Sequence, residues 1–463
     1  MLPKNSKWLA TAALGLALAG IGHATEATLA SDGATDTSLW TKPVWLTDLS
    51  FSYKESYDDN ILGVSGYGLP LESSWVDAVG LKFGVNVAPF LSSSHLSLFS
   101  FTYNPEKVTY TAASQEDYTA HRLGTAVKYT DGALSFNLDQ NFLYNDGNKL
   151  APTYALNQLG GAAANQNDKY RNNFAHAPAR ERRNQFQDKY TASLQYDADP
   201  YFYRAVSSLA LFDMNTYQFN TSNAPYKGYQ NYTSRYDLNA GFDFGYKILP
   251  GLYFTLGYRV GEQEQDQFGI SINSDRHFSS NNYQRVLFGA EGKVGLLTLK
   301  AAAGPDFRDF NPNTPIANDQ TTRFYGEGSA SIALPAHESL TFAFKEYVWV
   351  ASTGIAPEID TLASAVYHVD ITKAVGFDAG YKFQKANYTL GNDTAGSGPA
   401  FRDDIDLSWN LGLNYKVTKQ FSVTAGYAHE QGRNIDSELL AKYFPDYRDF
   451  VRGISTIGVQ YKF

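Results

Sequence analysis

Ten charged residues carry most of the chemistry this sequence offers: Lys82, Arg235, Asp237, Asp243, Arg259, Lys300, Asp306, Glu327, Lys382 and Asp406. Most stand between large apolar or aromatic neighbours, as in Leu81-Lys82-Phe83, Phe242-Asp243-Phe244 and Tyr381-Lys382-Phe383. A strand with such a pattern sends its charges to one side and its apolar groups to the other. Charges of both signs on a watery face can brace one another or tune the passage of ions. The usual catalytic and metal-binding patterns are missing. The eight histidines are scattered without a His-x-x-x-His spacing, no Gly-x-Ser-x-Gly occurs, and there is no cysteine. No catalytic residue, metal or cofactor is therefore expected. Tyr253, Tyr325, Tyr347 and Trp349 share the parity of the charges. They could stack against sugar rings or simply fill space.

The elements that must position these residues are β-strands. Tyr236, Leu238, Ala240, Phe242, Phe244 and Tyr246 alternate with Asp237, Asn239, Gly241, Asp243 and Gly245. The same period of two runs through Leu252–Val260 and Ile405–Tyr415. About eighteen such segments follow one another, an even number suited to a single-chain transmembrane antiparallel β-barrel. Segments 202–217 and 361–369 do not declare which side faces inward. A total of 33 Tyr and 30 Phe with a mean hydropathy of −0.35 fits the same class. Only every second residue of each strand meets lipid there, so long apolar runs are not needed. All-β is the expected fold class.

Connections sort into two kinds. Thr130 to Gly132, Asp197 to Pro200, Ile248 to Gly251, Pro335 to Glu338 and Val417 to Lys419 are tight turns. Long polar loops fall at about 59–75, 146–186, 265–282, 309–321, 389–401 and 432–449. Short periplasmic turns largely alternate with long extracellular loops in barrels of the bacterial outer membrane. The longest loop carries Arg171, Arg180, Arg182 and Arg183. One reading keeps it in solvent; another folds it inward as an anion-attracting constriction.

The chain ends frame this barrel. Lys4 and Lys7, the apolar stretch from Trp8 to Gly22, and Gly22-His23-Ala24 have the layout of a secretory signal peptide over 1–24. The polar segment 25–44 reads as a flexible periplasmic arm, leaving 45–463 for the barrel. At the other end Val451, Gly453, Ser455, Ile457, Val459, Tyr461 and Phe463 form one outward row. Tyr461 and the terminal Phe463 suit recognition by the outer-membrane insertase during assembly. Outer-membrane lipid and lipopolysaccharide are the other expected partners. The formal charge of −9 argues against nucleic acid.

The first strand reads Leu49-Ser50-Phe51-Ser52-Tyr53-Lys54-Glu55-Ser56-Tyr57-Asp58-Asp59-Asn60-Ile61. It resembles the opening of the type-two family of β-barrel porins, some of whose members are linked to exopolysaccharide production. The resemblance implies a porin or an export-associated channel and supplies no catalytic residues. The expected role is a passive channel for small hydrophilic solutes. A polysaccharide conduit and a structural or adhesive surface barrel are the alternatives.

Overall fold

A computed structural model describes residues 42–463 apart from 64–70, 92, 150–182, 216–217, 220–224, 227–233, 266–279, 312–319, 336, 351–356, 388–401 and 437–448. The expected signal segment 1–24 and nearly all of the expected arm 25–44 lie outside the described residues. The barrel strands begin with β1 Leu46–Asp58, β2 Ser74–Asn86, β3 Leu96–Tyr110, β4 Tyr118–Asp131, β5 Leu134–Asp146 and β6 Gln185–Ala198. Next come β7 Tyr201–Met214, β8 Arg235–Leu249, β9 Leu252–Gln265, β10 Asn281–Val294, β11 Leu297–Phe310 and β12 Gln320–Leu334. The last six are β13 Glu338–Trp349, β14 Glu358–Asp370, β15 Val375–Asn387, β16 Arg402–Lys416, β17 Phe421–Asp436 and β18 Phe450–Lys462.

Each strand pairs antiparallel with its neighbours in sequence, and β1 pairs with β18 from Ser50↔Lys462 to Asp58↔Ile454. The eighteen-stranded sheet is therefore closed, leaving no edge with unpaired backbone groups. Both strands with ambiguous facing, now β7 and β14, join it in regular register. Arg452 also ties the seam across the inner face. Its guanidinium donates to both Asp58 oxygens and, at 3.2 Å, to Glu430 Oε2.

Alternation now becomes a division between two surfaces. Phe51, Leu81, Phe83, Phe242, Leu256, Phe288, Phe324 and Ile457 are exposed on the outside of the closed sheet. A soluble protein seldom exposes an apolar surface this continuous; here it is the lipid-facing band. Aromatic residues gather at its margins. Tyr196, Tyr201, Tyr246, Tyr415 and Tyr461 stand near the short turns, and Tyr57, Trp75 and Tyr144 near the opposite ends. Strands of 12 to 16 residues, rising about 3.3 Å each, are long enough to cross a tilted band. The expected all-β transmembrane barrel is the observed architecture. Both ends of the barrel sheet lie with the short turns, the periplasmic side by the usual sorting of loops.

Phe463 closes the outward row. Its N–H donates to Leu49 O at 2.9 Å, and its ring packs edge-on to Tyr461 at 4.9 Å. Deleting Phe463 should sharply lower the fraction of heat-modifiable, membrane-inserted protein. Fractionation and unheated gels read this outcome; normal insertion would remove the assembly role.

Candidate pore lining

All ten charges singled out by alternation lie on the inner face, but their surroundings differ. Across β7 to β10 they are bound into a network. Arg204 Nη2 donates to Asp243 Oδ2 at 2.9 Å, and its Nη1 donates to Glu291 Oε1 at 2.7 Å. Arg259 Nη2 approaches the other Asp243 oxygen at 2.7 Å. Asp243 is 5% exposed, so these groups hold one another rather than presenting free charge to the lumen.

A second network lies nearer the long-loop end. Arg308 Nε donates to Asp306 Oδ2 at 2.8 Å, while its Nη1 reaches Gln263 Oε1 and Asn281 Oδ1. Gln263 Nε2 and Tyr283 Oη both donate to Asp237. Arg285 lies between two rings, with its guanidinium carbon 3.9 Å from the Tyr283 centroid and 4.2 Å from that of Tyr325. Its Nε stands 3.1 Å from Asp306 Oδ1, close enough for an ion pair. Asp306 is completely buried. Tyr325 thus backs a cation, and Tyr253 packs edge-on to Phe202 at 5.3 Å.

Arg204, Arg285 and Arg308 are the principal residues that the sequence reading passed over. Parity could have found two of them, because Arg285 shares the face of Glu291 and Arg308 that of Asp306. Arg204 sits in β7, whose facing was ambiguous.

The end of β13 parts from β12, where pairing stops at Gly326↔Glu346, while it stays paired with β14 as far as Trp349↔Glu358. Val348 and Val350 are fully buried, and Gln263 Nε2 on β9 donates to Val348 O at 3.1 Å. Trp349 meets Phe212 of β7 edge-on at 6.1 Å, although β7 and β13 are six strands apart in the sheet. The Arg235 guanidinium lies 4.8 Å from the Phe212 ring and 5.8 Å from that of Trp349. Tyr347 packs on Trp349 and is capped by Lys345. Strands so far apart touch only if one leans into the lumen, so this aromatic bridge narrows the loop-side half. Such a ring pair is worth about 0.5–1.5 kcal/mol beyond its burial. Trp349→Ala should therefore leave the barrel folded and raise single-channel conductance.

The remaining candidates are dispersed. Lys82 pairs with Asp48 and Lys300 is exposed on the inner face, while Glu327 accepts from Tyr325 Oη at 2.7 Å and so adjoins the second network. Lys382 of β15 faces Ser408 of β16, and Asp406 lies beside it in register with Gln384. Of the loop arginines, Arg171, Arg180 and Arg182 lie outside the described residues. Arg183 is 1% exposed and donates to Glu116 Oε1 at 3.2 Å, joining β6 to the connection between β3 and β4. Its guanidinium is a rim anchor. Among the described residues, no group of three or more acids and histidines is placed to hold a metal ion.

Closed sheet, apolar exterior and charged interior define a transmembrane antiparallel β-barrel with a polar lumen. No family model matches the chain, and no curated protein matches its sequence. Similar folds occur among solved structures. One is the outer membrane protein OpdK from Pseudomonas aeruginosa, at 12% identity and a TM-score of 0.40, covering 90% of this chain and 99% of that one. A second is Pseudomonas aeruginosa OccK2 (OpdF) in complex with glucuronate, at 9% identity and a TM-score of 0.42, covering 90% and 98%. A third is OmpT of Vibrio cholerae, at 11% identity and a TM-score of 0.31, covering 91% and 99%. At these identities the likeness is one of architecture.

Proposed function

We propose that this chain is a pore-forming protein of the bacterial outer membrane, a passive diffusion channel for small hydrophilic solutes. The observation that carries the reading is the closed eighteen-stranded sheet, with exposed aromatic and aliphatic residues outside and ion pairs inside. A barrel of about this strand number encloses an aqueous channel unless something fills it. The Trp349 bridge narrows one side of this one. The inner face offers charge and hydrogen bonds, which suit hydrated solutes. Outer-membrane lipid and lipopolysaccharide meet the outer band, and the insertase reads the strand ending in Phe463.

Residues 49–61 resemble the opening of the type-two β-barrel porins. That resemblance keeps a finer alternative in view, a conduit for exported polysaccharide. Reconstitution into planar bilayers tests the main reading. Refolded protein should give discrete conductance steps that scale with salt, and a silent, fully folded barrel would overturn it. Loss of polysaccharide secretion on deletion, without change in solute uptake, would favour the conduit.

A further inference from the structure

The inner face is not uniform around the barrel, and its glycines mark the difference. On β8 and β9, glycines make room for bulky groups. A Cβ on Gly241 would stand 2.6 Å from Arg259 Cδ, and one on Gly261 would stand 2.5 Å from the Tyr283 ring. Rings and guanidinium groups are packed onto the wall there and then locked into the two ion networks. On β17, β18 and β1 to β4 the same device mostly seats hydroxyls, although Gly432 of β17 makes room for the Phe450 ring and, on the other wall, Gly289 of β10 seats Thr255 Oγ1. A Cβ on Gly458 would lie 2.8 Å from Thr424 Oγ1, one on Gly80 2.7 Å from Ser52 Oγ, and one on Gly124 2.5 Å from Thr102 Oγ1. Each pair is directly opposed in register, β17 with β18, β1 with β2 and β3 with β4.

A glycine in a strand often marks where a neighbouring group approaches the backbone closely. Here it lets each hydroxyl lie flat. Between the outer two pairs, Ser56 Oγ and Thr456 Oγ1 are joined at 2.8 Å along the wall. Charge on this arc is held in pairs, Arg452 with Asp58 and Glu430 at the loop end, Arg122 with Glu106 across β3 and β4, and Lys82 with Asp48 at the turn end. In the middle stands Lys54, its stem 3.1 Å from the Cβ position of Gly458. Six adjacent strands thus carry a surface rich in hydroxyls and crossed by few bulky groups, while β7 to β13 carry a thick braced one crossed by Trp349.

Resting on the pore reading above, we propose that solutes cross off the barrel axis, along the hydroxyl-and-glycine wall of β17, β18 and β1 to β4. Hydroxyls both donate and accept hydrogen bonds, so this wall can exchange partners with a passing solute's own hydroxyl groups. The chemistry suits uncharged or weakly charged polyhydroxylated molecules. The arginines of the opposite wall are engaged with carboxylates and rings.

The chain has no cysteine, so single-cysteine variants report position directly. Thr456→Cys and Thr102→Cys place a thiol on the proposed path; Ala302→Cys places one on the inner face of β11, in register with Glu327 of β12. Folded, heat-modifiable protein is labelled with a bulky uncharged maleimide, labelling is checked by mass, and conductance is measured in planar bilayers. Labels at Thr456 and Thr102 should each remove roughly half of the conductance or more, while a label at Ala302 leaves it nearly unchanged. Equal block from Ala302 would overturn the off-axis path. So would unaltered conductance after full labelling at Thr456 and Thr102, or failure of both thiols to label. Absence of conductance in the unmodified protein would instead defeat the pore reading itself.

Discussion

Changing Asp306 to Asn should lower the unfolding free energy of the refolded barrel by about 3–5 kcal/mol, the cost of removing one partner from a buried ion pair. Asp306 is fully buried, with Arg308 on one oxygen and Arg285 beside the other. Asparagine keeps the shape but leaves two buried guanidinium groups without their carboxylate. The rings of Tyr283 and Tyr325 already flank Arg285, so it has little room to swing toward water. A control is Asp48→Asn, which breaks the more exposed pair with Lys82 and should cost about 0–1 kcal/mol. Urea midpoints in lipid vesicles, with slopes compared to confirm one transition, measure both. Equal small losses would mean that the buried network contributes no more than a surface pair.

The second large effect separates the two faces of β8. Phe242→Arg should cost on the order of 2–4 kcal/mol, because an arginine near the bilayer midplane sits in hydrocarbon. Phe242 is 47% exposed on the outer face, among the rings of Tyr203 and Tyr258. Asn239, three residues earlier, faces inward and donates to Ser208 Oγ at 2.7 Å and Asp237 Oδ1 at 3.2 Å. Asn239→Arg should be tolerated, because a longer cation there remains in the lumen near Asp237. It should alter ion selectivity instead of insertion. Folded yield and reversal potential are the two readouts. Similar yields for both variants would contradict the assignment of the faces.

What these residues reveal through sequence alone is set by locality. The side-chain period of a strand is two, so Tyr236 to Tyr246 declare their facing with no knowledge of their neighbours. Eighteen strands, the sorting of turns from loops and the outward row ending in Phe463 follow from the same short-range pattern. Parity gives the face of a charge but neither its depth nor its partner. Arg204 and Glu291 are 87 residues apart and meet across three strand boundaries. Which carboxylate an arginine reaches depends on the stagger of strands around the closed sheet, a property of closure and of no single segment. The same holds for Arg183, whose place in a long loop suggested a constriction and whose partner Glu116 comes from a different connection. The bridge of Trp349 to Phe212 lay beyond sequence for a related reason: alternation describes a strand flanked on both sides, and the end of β13 keeps only β14 beside it. Local period determined the faces of this barrel; tertiary closure decided which inward groups lock together and which wall they leave with few bulky groups.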